Sequence, residues 1–117
     1  MKHRVIIALG SCQQQAAHIQ WASERLINLL DDCLLSRRLW TADIKGSGKW
    51  YMNRIAVGMT DLSADNLQVL LKEMEAVTGR TKTEVTIDLD LMQYDEERYH
   101  EKDWQRPYVQ NIIHDIL

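Results

Sequence analysis

The sequence has few cysteines, no long apolar run and no excess of basic residues, and each shortage excludes a class of protein. Its two cysteines, Cys12 and Cys33, are too few for the disulfide framework of a small secreted domain, so we expect a cytoplasmic protein. No apolar stretch approaches the roughly 20 residues of a membrane helix. The short apolar segment near the N-terminus ends at Gly10, which favours a first strand over a signal peptide.

The charge balance argues against a nucleic-acid partner. Lys and Arg number 14 against 17 Asp and Glu, so the formal net charge is −3, whereas nucleic-acid-binding domains usually carry a basic face. The pair Arg37 and Arg38 is the only hint of such a face, and it suits a solvated strand edge equally well. Because the chain also lacks repeats, low-complexity segments and linkers, its length predicts a single domain over residues 1–117.

Hydrophobic periodicity and turn residues predict the element order β-α-β-β-α-β, followed by a C-terminal helix. The predicted strands cover about 3–9, 34–41, 50–60 and 85–95, and the predicted helices cover about 13–30, 63–79 and 107–116. Ser63 is a suitable N-cap for the second helix, and Pro107, the only proline, suits the first turn of the last. This order predicts an α+β, ferredoxin-like fold, in which two crossover helices cover a four-stranded antiparallel sheet.

Two aspartates interrupt the last predicted strand. The segment VTIDLDLMQYD alternates like a half-buried strand, yet Asp88 and Asp90 are poor strand formers. Alternation places both carboxylates on one face, about 6.5 to 7 Å apart at their Cα atoms. Mg²⁺ is commonly held by one or two carboxylates together with substrate phosphates, and two ions about 4 Å apart would fit here. A solvent-facing acidic strand surface explains the same spacing.

Further polar and aromatic residues are candidates for a binding site, and each also has a structural interpretation. Arg80 and Lys82 follow the second helix, where basic side chains also favour the negative end of the helix dipole. Tyr51 and Asn53 share one face of the third strand, where they could hold a flat heterocycle or simply pack. The spacing H-x5-R-x-Y in the tail adds three residues that are equally compatible with an ordinary surface: His100, Arg106 and Tyr108.

Several segments, taken in order, resemble the 6-hydroxymethyl-7,8-dihydropterin pyrophosphokinase family of the folate pathway. These segments are ALGS, YMN, TDLSADNLQVLLKEMEAVTGR, TIDLDLMQYD and RPYVQNIIHDI. The most specific element is the Gly-Arg that ends a helix and is followed by Thr, a hydrophobic residue and Asp-Leu-Asp-Leu. The resemblance covers nearly the whole chain. It implies a ferredoxin-like enzyme that transfers the pyrophosphoryl group of ATP to the hydroxymethyl group of a reduced pterin.

The resemblance also implies a role for each candidate residue. Asp88 and Asp90 would bind two Mg²⁺ ions that bridge the phosphates of ATP, and Arg80 would complete the catalytic set. The implied ATP-binding residues are Arg80, Lys82, His100 and Arg106. The implied pterin-binding residues are Thr41, Ile44, Tyr51, Asn53 and Tyr108. ATP and the pterin would be small-molecule partners of a monomer or dimer, with neither nucleic acid nor membrane involved.

The chain departs from the family pattern where ATP would be covered. Family members carry a flexible Trp-Gly-Pro-Arg loop before the aspartates, whereas here only TKTEV precedes Thr86, and Val85 stands in place of the loop arginine. Because a closing lid often sets the catalytic rate, we expect weak, Mg²⁺-dependent ATP binding and slow turnover. Two alternatives stay open. One is a nucleotide- or pterin-binding homologue without turnover, and the other is a ferredoxin-like protein-interaction domain.

Overall fold

An antiparallel sheet of six strands forms the centre of the fold. The computed structural model describes residues 2–117. The strands are β1 (His3–Ser11), β2 (Asp31–Leu35), β3 (Leu39–Ala42), β4 (Trp50–Thr60), β5 (Asp88–Tyr94) and β6 (Glu97–Arg98). Their order across the sheet is β2-β4-β1-β5-β6, and β3 also pairs with β4. The α+β class is therefore confirmed.

The predicted count of four strands is wrong. The single strand predicted over 34–41 is two strands, β2 and β3, because Ser36 interrupts the ladder with β4. The Ser36 hydroxyl accepts the backbone N–H of Ile55 at 2.9 Å, and the Ser36 carbonyl accepts from the Arg54 side chain at 2.7 Å. A side chain thus takes the place of one ladder bond, and the strand is interrupted there. At the other edge of the sheet, the two-residue strand β6 pairs with β5.

The two long helices lie close to their predicted positions. They are α1 (Gln15–Leu29) and α2 (Ala64–Val77), and the C-terminal segment adds α3 (Glu101–Trp104), α4 (Pro107–Ile112) and a 3-10 turn (Ile113–Asp115). The Ser63 hydroxyl accepts the backbone N–H of Asn66 at 3.2 Å, which confirms the predicted N-cap of α2. Gly79 follows α2 with φ of 81°, a left-handed conformation that glycine adopts without strain.

The alternation of β5 divides the core into two layers. Ile87, Leu89 and Leu91 are buried beneath α1 and α2, as predicted. Met92 points to the other face, where it packs with the C-terminal helices through residues such as Trp104. The Trp104 indole donates to the Met92 carbonyl at 3.2 Å, and this bond anchors the C-terminal segment on β5.

The C-terminal helices cover only part of this second face. The side chain of Asp88 remains 35% exposed and that of Asp90 25% exposed. One face of the sheet therefore changes from packed core to open surface within a single strand, and the opening occurs at the two aspartates.

Both cysteines are free thiols. None of the helices between residues 2 and 117 combines the length and the apolar character needed to cross a bilayer.

Gly58 is the position where the fold leaves least room for a side chain. A Cβ added there would meet Leu30 Cβ at 2.8 Å and the Asp31 carbonyl oxygen at 3.1 Å, both in the tight passage from α1 to β2. We predict that Gly58→Ala lowers the free energy of unfolding by about 1 to 3 kcal/mol, as overpacking usually does. The midpoint of urea unfolding measures this loss.

Gly10→Ala is the matched control, because its added Cβ would have no neighbour nearer than 3.6 Å. Equal midpoints for the two variants would contradict the crowding at Gly58.

Candidate active site

A cleft of about 490 Å³ opens beside the two aspartates. Its walls come from β1, β3, β4 and β5, from the loop after β3, from the segment after α2 and from the C-terminal segment. It is lined by every sequence-predicted site residue except one: Thr41, Ile44, Tyr51, Asn53, Arg80, Lys82, Asp88, Asp90, Arg106 and Tyr108. The fold thus brings together residues that are up to 67 positions apart in the sequence, Thr41 and Tyr108.

His100 is the exception, and it lies in a second cleft of about 780 Å³. This cleft runs between α2 and β5, and its apolar lining includes Leu71, Leu89 and Leu91. Asp90 lines both clefts, and its Oδ1 is 4.0 Å from His100 Nε2. The two clefts therefore meet at Asp90, and His100 approaches that carboxylate from the second cleft.

The acidic pair is electrostatically strained. Burial and the neighbouring Asp90 carboxylate raise the pKa of Asp88 to about 6, although Arg80 acts in the opposite direction. Two hard carboxylates on one strand face suit Mg²⁺, which would relieve their repulsion. Within residues 2–117, no group of three or more His, Cys, Asp or Glu is arranged to hold a metal ion. Further ligands to an ion at this pair would thus be water or substrate oxygens.

A buried carboxylate that sequence analysis missed, Glu75, orients the catalytic candidates. Its side chain is 7% exposed, and its Oε2 accepts the backbone N–H of Leu89 at 2.7 Å. Its Oε1 lies 2.7 Å from Arg80 Nη1, and the same nitrogen donates to Asp88 Oδ1 at 3.1 Å. Burial lowers the pKa of Arg80, but Asp88 and Glu75 together outweigh that effect and raise it. Arg80 is consequently a fixed cation beside the acidic pair.

The periodicity of α2 contained the signal for Glu75. Glu75 follows Leu67 and Leu71 at intervals of four residues and so falls in the buried stripe, which is an unusual place for a carboxylate. Val77, which its apolar character alone would place on the buried face, is instead 75% exposed.

Two tyrosines and an amide line the first cleft. Asn53 is buried, and its Nδ2 donates to Thr41 Oγ1 at 2.7 Å and to the Leu39 carbonyl at 3.3 Å, which fixes the orientation of the amide. Burial and the Cys12 thiol raise the pKa of Tyr51 to about 12. Burial and Asp103 raise the pKa of Tyr108 to about 12. Both phenols are therefore neutral near pH 7 and can present a ring and a hydroxyl to a ligand.

The short segment 81–85 stands where members of the pterin pyrophosphokinase family carry a flexible loop. It forms one wall of the first cleft and is held in place by hydrogen bonds. A turn closes it through the bond from the Thr81 N–H to the Glu84 carbonyl, at 3.1 Å. The Val85 carbonyl accepts the Cys12 N–H at 3.0 Å, and the Thr83 carbonyl accepts from Lys49 Nζ at 2.8 Å. Because Lys49 ends the loop after β3, this last bond joins the two loops that border the cleft.

An acidic pair held beside an arginine where two clefts meet is typical of enzymes that transfer phosphoryl groups with divalent ions. The chain matches the family model of 7,8-dihydro-6-hydroxymethylpterin-pyrophosphokinase (HPPK) over residues 6–117. It therefore belongs to this family, as the sequence motifs predict. A search of curated proteins returned no significant match. The roles of the individual site residues remain predictions.

Removal of Glu75 should destabilise the protein severely. Glu75→Ala would leave the buried Leu89 N–H without its acceptor and Arg80 with only its longer bond to Asp88, a change that typically costs about 3 to 5 kcal/mol. Glu75→Gln keeps a hydrogen-bond acceptor and the side-chain volume, so it should lower the free energy of unfolding by less than Glu75→Ala does. Chemical denaturation measures both losses, with the exposed Glu73→Ala on the same helix as the control. Equal effects of Glu75→Ala and Glu73→Ala would contradict the anchoring role.

The raised pKa of Asp88 predicts how stability depends on pH. An unfolded aspartate titrates near 3.8 and the folded one near 6, so ionised Asp88 destabilises the fold above pH 6 and has no effect below about 4. Asp88→Asn should therefore stabilise the protein at pH 7.5 and lose this advantage as the pH falls. We expect a gain on the order of 1 kcal/mol, below the full value of the shift because water screens a side chain that is one-third exposed.

Denaturation curves at pH 4 and pH 7.5 test this expectation. Glu96→Gln, in the exposed turn after β5, controls for the loss of one negative charge. A gain for Asp88→Asn that is the same at both pH values would show that ionisation of Asp88 is not its source.

Proposed function

We propose that the protein is a ferredoxin-like, Mg²⁺-dependent pyrophosphokinase that transfers the pyrophosphoryl group of ATP to 6-hydroxymethyl-7,8-dihydropterin. The observation that carries this proposal is the pair Asp88 and Asp90 in the first cleft, with Asp90 also lining the second. A reaction that joins two small molecules needs two binding sites and a neutralised phosphate chain between them. Family membership supports the choice of ATP and a reduced pterin.

The first cleft is the proposed pterin site. Its volume of about 490 Å³ falls within the range of small-molecule sites. The oriented amide of Asn53 could pair with the edge of the heterocycle, and the rings of Tyr51 and Tyr108 could pack on its faces. Thr41 supports the Asn53 amide through its hydroxyl, and exposed Ile44 lies at the mouth of the cleft.

The second cleft is the proposed site of the nucleoside. Val69, a lining residue that is 55% exposed, offers an apolar surface for a base, and His100 lies beside Asp90. The phosphate chain would then extend past Asp90 into the first cleft, where three basic residues lie: Arg80, Lys82 and Arg106.

The reaction requires positioning more than covalent help from the protein. The hydroxymethyl oxygen of the pterin forms a bond to the β-phosphorus, the bond from that phosphorus to the α,β-bridging oxygen breaks, and AMP leaves as the hydroxyl proton is released. Asp88 and Asp90 would hold Mg²⁺, which, when bound, offsets the charge of the phosphates. Arg80, oriented by Glu75, contributes a fixed positive charge beside them.

A second candidate function is binding of the nucleotide and pterin without turnover. The short, tied segment from Thr81 to Val85 favours this alternative, because it leaves no long loop at that position to close over ATP. Slow turnover is consistent with the same observation. The product released therefore distinguishes the two functions.

Incubation with Mg·ATP and 6-hydroxymethyl-7,8-dihydropterin should yield AMP rather than ADP, as measured by chromatography. The double variant Asp88→Ala/Asp90→Ala should lose AMP formation by about 100-fold or more, as the loss of groups that stabilise transition-state charge does. Its affinity for Mg·ATP should fall at least about tenfold in calorimetry.

Glu96→Ala/Glu97→Ala removes the same charge at exposed positions outside the residues that line the two clefts and serves as the control. Release of ADP, or unchanged Mg·ATP affinity in the aspartate double variant, would contradict the proposal. Tight binding of both ligands by the wild type without AMP would favour the binding homologue.

A further inference from the structure

Lys72 is a basic residue of the second cleft that neither the motifs nor the family resemblance singled out. It lies on α2, and its Nζ is 4.0 Å from Asp90 Oδ1. His100 Nε2 is also 4.0 Å from that oxygen. Two basic groups thus flank the same carboxylate oxygen on the side of the second cleft. Both distances exceed hydrogen-bond length, so neither group is bonded to Asp90.

The ammonium of Lys72 is weakly held by its other neighbour. Its distances to the Glu75 carboxylate oxygens are 3.4 and 3.3 Å, well beyond the roughly 2.7 to 2.9 Å of a strong charge-assisted bond. Glu75 already has two bonds of 2.7 Å, one to Arg80 and one to the Leu89 N–H. The Lys72 side chain is 59% exposed, so water screens its attraction to the buried Glu75 carboxylate. The ammonium has three donors, and this pairing does not engage them strongly.

We infer that Lys72 binds the phosphate chain of a nucleotide that lies in the second cleft and extends past Asp90. This inference rests on the proposed function, because it takes a nucleotide as the ligand of that cleft. Once a divalent ion neutralises Asp90, the attraction that draws Lys72 toward that carboxylate weakens. The ammonium, on a long flexible stem with a side chain 59% exposed, can then turn to a phosphate oxygen.

Lys72 also supplies a positive charge that Val85, in the segment before β5, does not. Val85 lines the first cleft as an apolar residue. A cation from α2 reaches Asp90 from the second cleft, whereas Arg80 contacts Asp88. The two cations would therefore act on different parts of one phosphate chain, Arg80 near Asp88 and Lys72 near Asp90.

Binding measurements with a non-hydrolysable Mg·ATP analogue and with adenosine test this inference. Lys72→Met keeps most of the apolar stem and removes the charge, so affinity for the analogue should fall about tenfold or more, as for a lost charge-assisted contact. Lys72→Arg should stay within about threefold of the wild type, because it restores a cation that binds phosphate. Adenosine, which has no phosphate, should bind all variants equally.

Lys102→Met is the matched control, since Lys102 is exposed on α3 and is not among the residues that line the two clefts. The inference is overturned if Lys72→Met binds the analogue as tightly as Lys102→Met does, or if it weakens adenosine binding equally. If the wild type does not bind the analogue at all, the proposed function fails and this inference falls with it. Binding by the wild type that Lys72→Met leaves unchanged overturns the role of Lys72 alone.

Discussion

The buried carboxylate of Glu75 is the interaction on which the geometry of the site depends. A charge taken out of water needs partners, and Glu75 has them in the backbone of β5 and the guanidinium of Arg80. The bond to the Leu89 N–H joins the last turns of α2 to the strand between the two aspartates. The bond to Arg80 then fixes the direction of a cation toward Asp88. One side chain thereby couples packing of the helix to the electrostatics of the cleft.

Incomplete cover of the second sheet face creates the site. The C-terminal helices bury Met92 but leave Asp88 and Asp90 partly exposed on the same face of β5. Partial burial, followed by the neighbouring Asp90 carboxylate, destabilises ionised Asp88 and raises its pKa. Stability is commonly sacrificed in this way at functional sites. A cation bound there would recover part of this lost free energy, which is why the pair is a candidate metal site.

The segments that border the first cleft suggest how a family member with a short loop could retain its substrates. The segment after Arg80 is closed by its own turn and hydrogen-bonded to Cys12, which follows β1, and to Lys49. A rigid wall orients a ligand without the entropy loss of ordering a long loop, although it cannot enclose ATP as a moving lid does. In place of a loop arginine, basic residues from α2, from the segment after it and from the C-terminal segment surround the acidic pair. Binding would then depend on side chains that are already in position before the ligand arrives.

The local periodicity of the sequence determined the two long helices α1 and α2, the cap at Ser63, and the faces of β5 that separate Leu89 from Asp90. These features follow from side-chain spacing and short-range bonds, which are present in the sequence itself. Only the tertiary structure decided the rest. Ser36 splits a strand because Ile55 is opposite it, and His100 lies in a different cleft from Tyr108 because the C-terminal segment packs across β5. The burial of Glu75 and the approach of Lys72 to Asp90 likewise depend on contacts between distant segments, which local spacing does not encode.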